Sequence, residues 1–141
     1  MFTVKNYENI FRNSYTRALG GNSYNAGFIE EFYRHFMSRS KEIADLFANV
    51  DMSAQKTMLH DSLEHMVDFY TTKKLSPQLE RLAKVHGKQQ LNIAPSLYDV
   101  WLDSLMAALA KYDAEFNPEV ELSWRLVLAP GITYLKYSYD H

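Results

Sequence analysis

Three polar side chains interrupt apolar helical stripes in this chain. Tyr33 lies beside Phe32 and Phe36 in "EEFYRHFM", Gln55 stands one turn before Leu59 in "SAQKTML", and His86 closes the helical part of "LERLAKVHGKQQLNIAP". Leu79, Leu82 and His86 fall at i, i+3 and i+7, so His86 continues the inward stripe instead of pointing to solvent. An inward polar group left without a partner costs roughly 1–3 kcal/mol, so each of the three needs one. In a plain core the partner is a backbone carbonyl. Three such groups on three different helices point instead to a lined cavity, with an imidazole, a hydroxyl and an amide among its walls.

The elements that must position these groups are helical throughout. Residues 4 to 18 form a first helix stopped by Gly20-Gly21, and residues 24 to 38 a second, in which Phe28, Phe32, Tyr33 and Phe36 share a face. "SRSKEIADLF" holds a short turn of helix. Asp51 or Ser53 then caps a longer one carrying Met52, Gln55, Leu59, Leu63, Met66 and Phe69. Ser76-Pro77 opens the short helix that ends near His86, with serine as N-cap and proline in the first turn. Pro95 starts the next, with Leu97, Trp101, Leu105, Ala108 and Tyr112 inward. Asn117-Pro118 opens the last, which should bend at Pro130-Gly131 because an interior proline removes a backbone hydrogen bond. No alternating strand of useful length is present. The chain is therefore all-α, with about six to seven helices, no internal repeat, and connections too short for a second domain.

At 141 residues, 47% hydrophobic and 14% aromatic, the sequence carries more apolar side chains than a minimal core consumes and can line a pocket with the surplus. A net charge of -2, without a lysine or arginine block, gives no footprint for nucleic acid. The absence of cysteine excludes disulfides, thiolate zinc sites and cysteine nucleophiles, and suits a reducing compartment. The amino terminus has no apolar run behind a basic start, and no segment approaches roughly 18 uninterrupted apolar residues. A soluble, cytoplasmic protein that does not insert in a membrane is the expectation.

Taken in order, Phe32-Tyr33, Phe47 in "EIADLF", Gln55 with Leu59, and His86 in "LAKVHGKQQLNIAPSLY" resemble the globin family, in particular bacterial single-domain globins and the haem domain of flavohaemoglobins. The resemblance spans about residues 5 to 138 and implies one globin domain over residues 1–141, folded around a haem pocket. It implies that His86 is similar to the proximal iron ligand, that Phe47 packs flat on the macrocycle, that Tyr33 and Gln55 are the distal pair, and that Leu59 is the apolar residue beside them. The step from Phe47 to Gln55 is short, which implies that the small helix some globins carry there is missing. With no cysteine to attach it, the cofactor would be haem b, held non-covalently. Dioxygen, nitric oxide and carbon monoxide would be its guests.

Around that site, Leu82 or Ala83 is expected to offer the carbonyl that takes the second N–H of His86, and Tyr98 and Trp101 are expected on the proximal side. In flavohaemoglobins a tyrosine at a place similar to Tyr98 joins a carboxylate in polarising the proximal histidine. Here only Asp140 stands where that carboxylate belongs, which argues against a strong push and peroxidase-like chemistry. Lys56 and Lys88 are candidates to meet the haem propionates. His60 lies about 140° around its helix from Gln55, and His65 faces away from Leu59, so both belong on the surface or rim. Met58, within about 60° of Gln55, is a candidate sixth ligand or a packing residue. Two main function classes follow. One is a five-coordinate haem protein that binds dioxygen and other diatomic gases reversibly, and oxidises nitric oxide when a separate reductase returns the iron to ferrous. The other is a gas or redox sensor acting through a partner protein. A third, outside haem chemistry, is an all-α interaction module; the lack of an ExxH pair argues against a di-iron bundle.

Overall fold

A computed structural model describes residues 6–20 and 26–141. The expected starts of the first two helices, at residues 4 and 24, and Gly21 of the first stop signal lie outside the described residues. Seven α-helices follow in order: α1 (Tyr7–Leu19), α2 (Ala26–Ser38), α3 (Lys41–Leu46), α4 (Met52–Thr72), α5 (Pro77–His86), α6 (Leu97–Tyr112) and α7 (Pro118–Ser138). There is no strand among the described residues.

Local sequence fixes most boundaries. Side chains of Asn6, Ser40, Asp51, Ser76 and Asn117 each accept a backbone N–H from the first turn that follows, satisfying donors a helix start leaves orphaned. Of the two caps considered for α4, Asp51 is the one used. Proline follows the cap of α5 and of α7, where its missing N–H costs nothing. Gly20 ends α1 at φ 82°, the left-handed conformation glycine adopts without strain. α6 begins two residues after Pro95, at Leu97.

α2 packs on α6, α1 and α4 pack on α7, and α5 rests on α4 and α7. Trp124 anchors the core, fully buried, with the Phe11 ring 4.8 Å and the Phe28 ring 6.0 Å from its own. Its indole N–H donates to Ser14 Oγ at 2.9 Å, and Ser14 Oγ donates to Asp113 Oδ2 at 2.6 Å. Arg17 completes this buried chain on the same carboxylate, Nη2 to Oδ2 at 3.0 Å.

Helix α7 runs through Pro130 to Ser138. At the next residue, a Cβ on Gly131 would stand 2.9 Å from Met66 of α4, so the dipeptide serves close helix packing. Tyr112 is not inward: it ends α6 with 38% of its surface exposed, its ring lying across Gly27.

Candidate functional site

A cavity of about 560 Å³ opens between α2, α4, α5 and α6 and is floored by Ile132 and Leu135 of α7. That volume lies within the usual range for small-molecule and cofactor sites. Its walls are mostly apolar, and its rim holds Leu46, Val50, Met58, Val85 and Leu91, which are five of the nine large apolar residues exposed among the described residues. Exposed apolar surface gathered around one mouth, instead of scattered singly, marks a place where something binds.

His86 reaches the cavity from the last turn of α5. Burial pushes its imidazole below the ordinary histidine range, so the neutral form prevails. Its Nδ1 lies 3.2 Å from the hydroxyl of Tyr98, a buried side chain in the first turn of α6. Burial pushes that phenol up to about 12, so it stays protonated at physiological pH. The partner of His86 is thus a side chain across the loop and not the carbonyl of Leu82 or Ala83. A histidine whose Nδ1 is fixed in this way offers Nε2 as the coordinating atom. No carboxylate meets either residue among the described residues, and Asp140 contacts His141 instead.

Tyr33 and Gln55 line the same cavity. Tyr33 is 3% exposed and sits edge-on to Phe47, with centroids 5.5 Å apart. The Gln55 amide donates to Tyr33 Oη at 3.1 Å, and the hydroxyl donates to the Gln55 main-chain oxygen at 3.3 Å. Tyr33 is buried and Gln55 half-buried; the second Nε2–H of Gln55 makes no hydrogen bond among the described residues, and the phenolic proton can turn about its C–O bond. Phe47, Leu59, Leu82 and Trp101 supply apolar wall between the two polar pairs.

The other expectations divide. His60 stays outside the cavity, 3.8 Å from the Glu64 carboxylate. Met58 lies at the mouth, 54% exposed. Lys56 does not line the cavity; its ammonium lies 3.4 Å from Glu30. Lys88 lies behind the loop after His86, where its N–H donates to the Tyr139 carbonyl at 2.8 Å. His65 was expected to face away, but it lines the cavity, because α4 has both α5 and α7 as neighbours and so more than one inward direction. Its Nδ1 lies 3.3 Å from Ser76 Oγ. Arg81 and Gln78, absent from the sequence-based site, line it too. Their signal was spacing: Gln78, Arg81 and Val85 fall at i, i+3 and i+7 along one edge of the His86 stripe.

The globin family model matches residues 30–133, and the chain belongs to the globin family. Globins typically bind haem, and with it gaseous ligands such as oxygen. A crystal structure from Pseudomonas aeruginosa PAO1, of a protein described as structurally highly homologous to a human hemoglobin, is 34% identical, with a TM-score of 0.85 over 96% of this chain and 100% of that one. No curated protein matches. No helix among the described residues is long and apolar enough to cross a membrane.

Proposed function

We propose that the cavity holds one non-covalent haem b with His86 as the iron ligand, and that the protein binds dioxygen and other diatomic gases reversibly on the side of Tyr33 and Gln55. The observation that carries this reading is the pairing within one apolar cavity of a neutral imidazole, tied at Nδ1 to Tyr98, with a mutually hydrogen-bonded tyrosine and glutamine. The donor set fits the group: the His86 imidazole tied to Tyr98, a second imidazole, His65, tied to Ser76, no thiolate, and aromatic and aliphatic walls.

Ferrous haem supplies reversible coordination of dioxygen, nitric oxide and carbon monoxide. The chain supplies the rest. Tyr98 orients the His86 ring through Nδ1, and with its hydroxyl oxygen as acceptor it would keep the ring N–H there and leave Nε2 to the iron. Phe47, Leu59 and Leu82 line the cavity with apolar surface and would keep water from a bound haem. The second Nε2–H of Gln55, and the Tyr33 hydroxyl on turning from the Gln55 main-chain oxygen, would donate to a guest that gains negative charge on binding, which would favour dioxygen over carbon monoxide. Oxidation of nitric oxide by dioxygen to nitrate fits the same pocket, with a separate reductase restoring ferrous iron. A sensor that signals through a partner protein is the alternative. Absorption spectra of the protein reconstituted with hemin, ferric, ferrous and with carbon monoxide, test the reading. Intense Soret bands that shift with carbon monoxide support it, and protein that stays colourless removes it. A pull-down for partners beside a nitric oxide consumption assay with a generic reductase separates carrier, enzyme and sensor.

A further inference from the structure

Five of the nine large apolar residues exposed among the described residues ring the cavity mouth, and three of the other four lie on α7. Leu122, Leu126 and Tyr137 stand there 41%, 43% and 60% exposed. Ala129 and Thr133 are the remaining exposed positions between Val120 and Ser138, so the outward stripe from Leu122 to Tyr137 carries no charge. At 100° per residue these five positions fall within one narrow band of the helix surface. α4, the other helix of 21 residues, exposes Asp61, Glu64 and Asp68 along its length, as a face that meets only water normally does.

Charge is confined to the margin of the stripe that adjoins α6. Arg125 donates from Nη2 to Asp103 at 3.0 Å and from Nε to Glu121 at 3.0 Å, and the Lys136 ammonium donates to Asp99 at 2.7 Å. The other margin is Pro130 and Tyr134, whose ring meets Phe69 of α4 edge-on. The stripe is also matched to itself. In an antiparallel pair of helices related by a two-fold axis, residues equally far from the midpoint face one another. With the midpoint between Ala129 and Pro130, Leu122 meets Tyr137 of a second copy, Leu126 meets Thr133, and Ala129 meets Pro130. Bulk lies at the ends and small residues at the centre, where two helices approach most closely. The same pairing sets the Lys136 and Asp99 pair of one copy beside Glu121, Arg125 and Asp103 of the other, an alternation of charge that suits a polar rim.

We infer that this face of α7 is where a second copy of the chain docks: two copies pair antiparallel along the stripe from Leu122 to Tyr137 and form a weak, concentration-dependent dimer. The stripe is about 22 Å long at about 1.5 Å per residue. With its margins it buries roughly 500 Å² per copy, a total of about 1,000 Å², where specific interfaces begin. Ile132 and Leu135 line the cavity from the buried side of the same helix, so the pairing does not cover the mouth. The inference does not depend on what the cavity holds.

The test is sedimentation equilibrium of the full chain over a wide range of concentration. The native protein is expected to pass from monomer to dimer with a dissociation constant of about 1–100 µM, as suits an interface of that size. Leu126→Glu and Ala129→Glu are each expected to weaken the dimer by about 100-fold or more, because the two-fold brings two new carboxylates into its apolar centre. Both positions are exposed in the single copy, so the melting temperature should stay within about 2 °C of the native value. Val50→Glu, at the cavity mouth, is expected to leave the dimer unchanged. Native protein that stays monomeric up to about 500 µM overturns the inference, given the affinity expected of such an area. So does a dimer that survives either α7 substitution, or one that Val50→Glu dissociates and the α7 substitutions do not.

Discussion

Replacing Tyr33 with phenylalanine removes one hydroxyl from a ring that is otherwise packed edge-on to Phe32 and Phe47, so the cavity keeps its shape. The hydroxyl does not wait idle for a guest. It donates to the Gln55 main-chain oxygen over a long 3.3 Å and accepts the Gln55 amide at 3.1 Å. Turning the proton to dioxygen exchanges a weak neutral hydrogen bond, worth about 0.5–1 kcal/mol net, for one to a partly charged acceptor worth about 1.5–3. The difference, about 1–2 kcal/mol, corresponds to dioxygen release faster by roughly 5- to 30-fold in Tyr33→Phe, at 1.4 kcal/mol per decade. Carbon monoxide gains little charge on binding, and its release should change by no more than about 2-fold. Gln55→Leu should act more weakly than Tyr33→Phe. The acceptor that holds the tyrosine proton is a backbone carbonyl and survives that substitution, while one amide donor is lost. Stopped-flow release of both gases from both variants is the measurement. Equal acceleration of the two gases would mean that Tyr33 only shapes the cavity, and an unchanged dioxygen rate would place its hydroxyl outside the guest's reach.

Three further outcomes follow from the same geometry. His86→Gly should abolish tight hemin retention, with added imidazole restoring it, while His60→Ala leaves the spectrum unaltered; a larger effect at His60 would move the ligand elsewhere. Tyr98→Phe leaves the buried Nδ1 of His86 without its partner, so it should lower the iron–histidine stretching frequency in resonance Raman spectra and speed hemin loss, and an unchanged frequency would deny the contact any influence on the ligand. Asp113 is buried, which raises its pKa, but hydrogen bonds from Arg17, Ser14 and the Glu115 N–H outweigh burial and hold the carboxyl below its usual range. Its folded value lies below its unfolded one, so the stability it contributes is present at neutral pH and lost as pH falls below about 4. Asp113→Ala should cost about 2–4 kcal/mol at pH 7 and much less at pH 3 in denaturant titrations, and a cost independent of pH would contradict the ionised assignment.

The parts of this molecule that the sequence makes legible are those fixed within one helix. Asp51, Ser76-Pro77 and Asn117-Pro118 mark helix starts because a cap acts on the turn that follows it. Tyr33, Gln55 and His86 reach one cavity because each lies on the buried stripe of its own helix, and a stripe buried on three helices of one small domain has one interior to face. The parts that stay hidden depend on how helices cross. The partner of His86 is Tyr98, twelve residues on and across a loop, and periodicity along α5 carries no information about what α6 brings there. His65 fails the angular rule for the same reason: the rule assumes one inward direction, and α4 touches α5 along one edge and α7 along another.

Charge is harder still to place, because a long basic side chain covers several ångströms and its helical position constrains its head only loosely. Lys56 stands next to Gln55 in sequence and yet its ammonium turns to Glu30 on α2, drawn by the nearer carboxylate. Arg81 lines the cavity and makes no ion pair among the described residues, although the Asp61 carboxylate lines the same cavity. Which cation stands at a cavity therefore depends on the charges that neighbouring helices bring, as Glu30 does for Lys56, and not on its distance in sequence from Gln55.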